Sequence, residues 1–134
     1  MNLYTSYTPE EVHFLLSLTD GKKPEIPFFR GLTKAEVSKI TSKYKVFELK
    51  KKEVIKEKYD YIWVFKGDVG LVRDSKLTKL SQNSGAVLNG RYAVVSVSES
   101  RVACFNIKGD DYITSVFYKN ILSLYEDILI IKGL

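Results

Sequence analysis

"YIWVFKGDVGLV", residues 61 to 72, reads as two short strands on either side of a turn. Tyr61, Trp63 and Phe65 alternate with Ile62 and Val64, "KGD" interrupts the run, and the apolar texture resumes at Val69. A two-residue period bounded by a glycine turn is the pattern of a half-buried strand. Similar runs lie on both sides. Strands are expected near 45–50, 53–57, 61–66, 69–73, 77–80, 86–88, 91–97 and 101–107, with breaks at "KK", "YD", "KGD", "DSK", "QNSG", "NG" and "SES". Short strands at such regular spacing point to a barrel or sandwich, and Tyr61, Trp63 and Phe65 are expected to fill it rather than to stack bases.

Helical signals flank this β-rich centre. Thr8, Pro9 and Glu11 form the start of a helix with a capping box, Val12, Leu15 and Leu16 share one face, and Asp20-Gly21 ends it. Ile26, Phe28 and Phe29 are expected to anchor the connector that follows. "TKAE" from Thr33 makes a second capping box with Glu36, ahead of Val37 and Ile40. Past Asp110 or Asp111, either of which can cap, Ile113, Phe117, Ile121, Leu124, Ile128 and Ile131 recur at intervals of 4, 4, 3, 4 and 3 residues. That spacing is a helical seam, and a helix this apolar must cover the roll, pair with a second copy, or do both.

Composition narrows the function. The chain has 134 residues, 45% hydrophobic and 28% charged, which suits one globular domain with its own core. Its net charge of +5 is concentrated in residues 43 to 58, where seven lysines face three glutamates. Lysine lacks the fork that reads phosphates and bases, and it suits exposed strand edges, so no nucleic-acid partner is expected. The N-terminus has no basic segment followed by an apolar run, and "ILII" at 128–131 is too short to cross a bilayer. A cytoplasmic protein without membrane contact is the expectation. The single cysteine, Cys104, reads as a buried small hydrophobe. With one histidine, His13, placed outside the strands, no metal site is expected, and no nucleophile or nucleotide motif suggests an enzyme or a cofactor.

Four stretches, in this order, resemble the cyclic nucleotide-binding domain family, which includes the regulatory domain of bacterial catabolite-activator-type regulators. They are "FFRGLTKAEVSKI" (28–40), "FELKKKEVIKE" (47–57), "YIWVFKGDVGLV" (61–72) and "RYAVVSVSESRVACFNIKGDDY" (91–112). Lys52 stands where the family usually has a glycine. The resemblance implies a mainly β fold with flanking helices, a double-stranded β-helix or jelly roll. One domain would span 1–134, with N-terminal helices and connector over 1–43, the β-roll over 44–108 and a long C-terminal helix over 110–132.

In that family a phosphate-binding cassette lies between strands. A Phe-Gly-Glu stretch opens a short helix whose backbone N–H groups face the cyclic phosphate. The Glu takes the ribose hydroxyl, and an Arg pairs with the phosphate just before an Ala. The resemblance places Gly85, Arg91 and Ala93 at matching positions. Only "AVLNG" separates Gly85 from Arg91, no Glu occurs there, and Asn89-Gly90 is a two-residue hairpin signal. The cassette is therefore expected to be replaced by a tight turn, leaving no cyclic-nucleotide site. The expected function is a non-catalytic regulatory or protein-interaction module; the alternative is a sensor that binds a nucleotide or other anion near Arg91. In the resembled regulators the last helix pairs two subunits, which implies a homodimer through Ile113, Val116, Phe117, Ile121, Leu124 and Ile128. The other reading of this seam is that it packs on its own roll. A further protein partner is left unnamed. No recognition helix is expected, because the chain stops at Leu134.

Overall fold

The computed structural model describes residues 26–109, 111–126 and 130–131. The helix expected over residues 8–20, with His13, lies outside them, as do Asp110 and Ile128. A 3₁₀ turn, Pro27–Phe29, leads to helix α1, Lys34–Ile40. The capping box forms as its residues dictate: Glu36 N–H donates to Thr33 Oγ1 at 3.2 Å, and Thr33 N–H donates to Glu36 Oε1 at 2.8 Å.

The strands are β1 Thr41–Leu49, β2 Val54–Ile55, β3 Tyr61–Lys66, β4 Val69–Arg73, β5 Lys76–Leu80, β6 Ser84–Val87, β7 Ala93–Ser96 and β8 Ser100–Ile107. Helix α2, Tyr112–Glu126, and a short β9, Ile130–Ile131, follow. Asp111 caps α2 through a bond from Thr114 N–H to its Oδ1 at 3.1 Å. Two sheets face each other, one ordered β1-β8-β3-β6-β9 and the other β2-β7-β4-β5. Pairing is antiparallel throughout except between β6 and β9.

Two expected boundaries change, and the strand pairing is a further finding: β1 and β3 belong to one sheet, β2 and β4 to the other, so the chain crosses between layers at the turns within 47–57 and 61–72. That alternation is what makes a jelly roll rather than a meander. The roll also begins at Thr41 rather than at residue 44, because β1 follows α1 directly and bulges between Ser42 and Lys45. Finally, the C-terminal helix does not run from 110 to 132. It ends at Glu126, and Ile130 and Ile131 pair with Gly85 and Ala86 as a parallel strand. Backbone groups beside β6 are satisfied by this return, a demand that a helical seam cannot reveal.

Strand alternation divides the core in two. Ile62 and Val64 point between the sheets with Leu71, Leu88, Val94, Val102 and Cys104. Tyr61, Trp63 and Phe65 point the other way, toward the helices, so they cover the roll instead of filling its interior. There Phe28, Phe29, Phe105 and Phe117, all fully buried, make edge and tilted ring contacts at 5.1–6.2 Å between centroids. Asn120 Nδ2 fastens α2 to the 3₁₀ turn by donating to the carbonyls of Phe28 (2.9 Å) and Arg30 (2.7 Å).

The β1–β2 turn explains Lys52. Glu53 N–H donates to the Lys50 carbonyl at 3.1 Å, and Lys52 has φ +70°, the left-handed region that this turn position assigns to glycine. A lysine there costs about 1–2 kcal/mol, against roughly 0.5–1 kcal/mol of extra chain entropy for glycine. Lys52→Gly is therefore expected to stabilise the protein by about 0.5–1 kcal/mol, read as a higher urea midpoint.

Candidate functional site

The β6–β7 connection is where a ligand cassette would have to lie. Residues 88–92 cross from one sheet to the other, and no helix forms among them. Asn89 and Gly90 have φ +53° and +67°, and Arg91 N–H closes the turn on the Leu88 carbonyl at 3.1 Å. This is the turn chemistry expected of Asn-Gly, although the flanking strands do not pair with each other.

The fate of the backbone donors matters most. Leu88 N–H and Asn89 N–H both donate to the Asp60 carbonyl, at 2.6 and 3.4 Å, and Gly90 N–H donates to the Tyr59 carbonyl at 3.0 Å. With Arg91 N–H on Leu88, four consecutive donors are spent inside the protein. An anion site built from backbone needs the opposite, a cluster of N–H groups without protein acceptors.

The three candidate ligand residues do not converge. Gly85 is buried in β6 on the face toward the helices: a Cβ there would sit 2.6 Å from the Ile62 carbonyl oxygen and Phe28 Cζ, and 2.8 Å from Trp63 Cε3. Its lack of a side chain serves packing. Ala93 lies in the other sheet, half-buried and opposite Val72 of β4. Of the three, only Arg91 is exposed.

Inside the roll the space beside this turn is occupied. Tyr59, Leu88 and Tyr92 are 1%, 1% and 8% exposed, and the Arg73 guanidinium lies 5.9 Å from the Tyr92 ring centre. Tyr59 Oη donates to Glu57 Oε2 at 2.8 Å, and Lys45 Nζ meets the same oxygen at 3.1 Å. The Tyr59 hydroxyl and then Lys45 hold the Glu57 carboxyl below its usual range, while burial first and this bond second raise the Tyr59 phenol. Burial likewise raises the Cys104 thiol, so it is a weaker nucleophile than a free thiol. These contacts were not foreseen, because "KYKV" and "KEKYD" meet only through the roll.

A cleft of about 490 Å³ opens where the ends of β1 and β3 meet the start of β8. Two of its acids are engaged: Glu48 Oε1 lies 3.3 Å from Arg101 Nε, and Glu53 Oε1 accepts the Lys50 N–H at 2.9 Å. Among the described residues no group of three or more His, Cys, Asp or Glu is placed to hold a metal, and no helix is long and apolar enough to cross a membrane.

No protein-family model matches this sequence, and no curated protein does. Solved structures match its shape. The roll is similar to that of DNR from Pseudomonas aeruginosa. The two chains are 12% identical, and the match covers 88% of this chain and 61% of that one with a TM-score of 0.53. The catabolite activator protein of Thermus thermophilus is 16% identical over 77% of this chain and 58% of its own, with a TM-score of 0.46. A regulatory subunit of a cAMP-independent protein kinase A from Trypanosoma cruzi, bound to guanosine, is 17% identical over 90% of this chain and 46% of its own, also at 0.46. This chain thus spans less than two-thirds of the length of each of them. At such identities the likeness is one of fold alone, a mainly β jelly roll of two antiparallel sheets with flanking helices.

The expected interface residues are also placed. Phe117, Ile121 and Leu124 are 0%, 6% and 1% exposed, and Ile113 and Val116 pack half-buried against the same cluster. They pack on their own roll, with Ile113 and Val116 still partly exposed; Ile128 is outside the described residues. Among the described side chains of α2, Tyr112, Tyr118 and Leu122 are the large apolar ones left in solvent.

Proposed function

We propose that this chain is a non-catalytic regulatory or protein-interaction module on a cyclic nucleotide-binding-type roll that holds no nucleotide at the 88–92 turn. What carries the reading is the set of N–H groups from Leu88 to Arg91, each bonded to a protein carbonyl. A phosphate arriving there would find one exposed guanidinium and no backbone cradle, and a lone exposed Arg binds an anion weakly and with little selectivity. The filling of the interior by Tyr59, Leu88 and Tyr92 supports the same view. A homodimer across α2, in this reading, would rest on Tyr118 and Leu122 rather than on the buried seam.

Titration calorimetry with cyclic AMP and cyclic GMP tests it. No heat is expected at high ligand concentration for the wild type or for Arg91→Ala. Micromolar binding that Arg91→Ala abolishes would instead establish the alternative, a small-ligand sensor at this turn.

A further inference from the structure

The four-stranded sheet has an outer face against which none of the other described elements packs. Its inner face is set by Ile55, Leu71 and Val94, which are 4%, 0% and 1% exposed. Strand alternation then turns Val54, Val95, Gly70 and Lys79 outward in one cross-strand row, and Ala93, Val72 and Leu77 in the next. A solvated antiparallel face normally carries polar residues. Here both rows are apolar but for Lys79, and Val54, Leu77 and Val97 are 51%, 57% and 39% exposed. Helix α2 and the 3₁₀ turn pack on the other sheet's side, around Trp63 and Phe105. Leu77 lies across Gly70, whose added Cβ would come within 2.7 Å of Leu77 Cδ1, so the stripe is low and continuous.

Its margin is cationic. Lys79 belongs to the first row, and exposed Lys56, Lys76 and Arg91 stand at the ends of β2, β5 and β7. Of the acids nearby, Asp74 Oδ2 lies 3.5 Å from Arg73 Nε, and Glu53 accepts the Lys50 N–H. An exposed apolar patch with a polar rim marks an interaction surface. We propose that this face docks an acidic amphipathic segment of a protein partner, with the partner's aliphatic side chains on Val54, Val95, Val72 and Leu77 and its carboxylates on Lys56, Lys79 and Arg91. A second copy would set lysines against lysines, which costs affinity. A membrane surface is served less well, because no Trp, Tyr or Phe belongs to either outward row and these residues anchor proteins at the lipid interface. The proposal rests on the interaction-module reading, but the nucleotide titration and the experiment below can fail independently.

The test is selection of a randomised displayed-peptide library on the full chain, with Leu77→Asp as the counter-selected protein. Leu77 is exposed, so this variant and Lys79→Glu are expected to fold, as circular dichroism verifies. The expected result is enrichment of peptides combining Asp or Glu with Leu, Ile or Phe. Binding of a synthetic copy should weaken by about tenfold, some 1.4 kcal/mol, in Leu77→Asp and in Lys79→Glu, and should fall with added salt. The proposal is overturned by the absence of enrichment, by peptides that lack acids, or by binding that neither variant weakens. Leu77-dependent binding to phosphatidylserine vesicles, or Leu77-dependent self-association in sedimentation, would overturn it too, by giving the face to a membrane or to a second copy.

Discussion

Truncation of Phe117 to alanine is expected to destabilise the protein by about 3–5 kcal/mol, the range for losing a buried aromatic ring. The ring is fully buried and meets Phe28, Phe29, Tyr61 and Phe105 at centroid distances of 5.0–6.2 Å, so its removal opens a cavity between α2 and the five-stranded sheet. Asn120 holds α2 to the 3₁₀ turn on the same side, which limits how far the helix can sink into that space. Leu122→Ala is the matched control. Leu122 is 64% exposed, and surface truncations of this kind fall within about 0.5 kcal/mol of the wild type. Urea unfolding of the two variants separates the alternatives for the seam. A seam that serves a second copy would lose association and keep its monomer stability; a seam that covers its own roll loses stability at every protein concentration.

What the sequence made legible was local. The capping box at Thr33 and Glu36 involves residues three apart, and it formed with both expected bonds. Strand positions followed from alternation, and β3 and β4 lie at 61–66 and 69–73 as read. Pairing was not legible, because a turn such as "KGD" looks the same whether its strands join one sheet or cross between two. The helical seam shows the same limit. Periodicity at Phe117, Ile121 and Leu124 says that one face is buried and is silent on what buries it. Ile131 continued that spacing numerically, yet it pairs with Ile130 as a strand beside β6, a long-range demand with no local sign. Gly85 kept the position of a cassette glycine while facing Phe28 and Trp63. One signal was available and passed over: "AVV" at 93–95 is apolar at successive positions, the mark of a strand that is apolar on both faces.

The second large effect is expected at the crossing from β3 to β4. Gly67 has φ +83°, and an added Cβ would overlap the Glu99 carbonyl oxygen and lie 2.5 Å from Ser100 Oγ and 2.9 Å from Ser100 Cα. These neighbours cannot swing aside. Val97 N–H donates to the Asp68 carbonyl at 2.9 Å, and Ser100 Oγ donates to that same carbonyl at 3.0 Å, while Asp68 N–H donates to Ser98 Oγ at 3.1 Å. The turn into β4 and the turn into β8 are thus one bonded unit, and Gly67 is the point at which their backbones touch. Gly67→Ala should carry about 1–2 kcal/mol for the left-handed backbone and a further 1–3 kcal/mol for overpacking, together about 2–5 kcal/mol. Gly90→Ala isolates the first contribution. Gly90 has φ +67° but its nearest obstacle is Asp60 Oδ1 at 3.5 Å, an ordinary contact, so its cost should stay near 1–2 kcal/mol. Equal losses at the two glycines in parallel urea titrations would show that contact with the β7–β8 turn adds nothing. A clear excess at Gly67 would identify that touch point as what ties the two sheets together at this end of the roll.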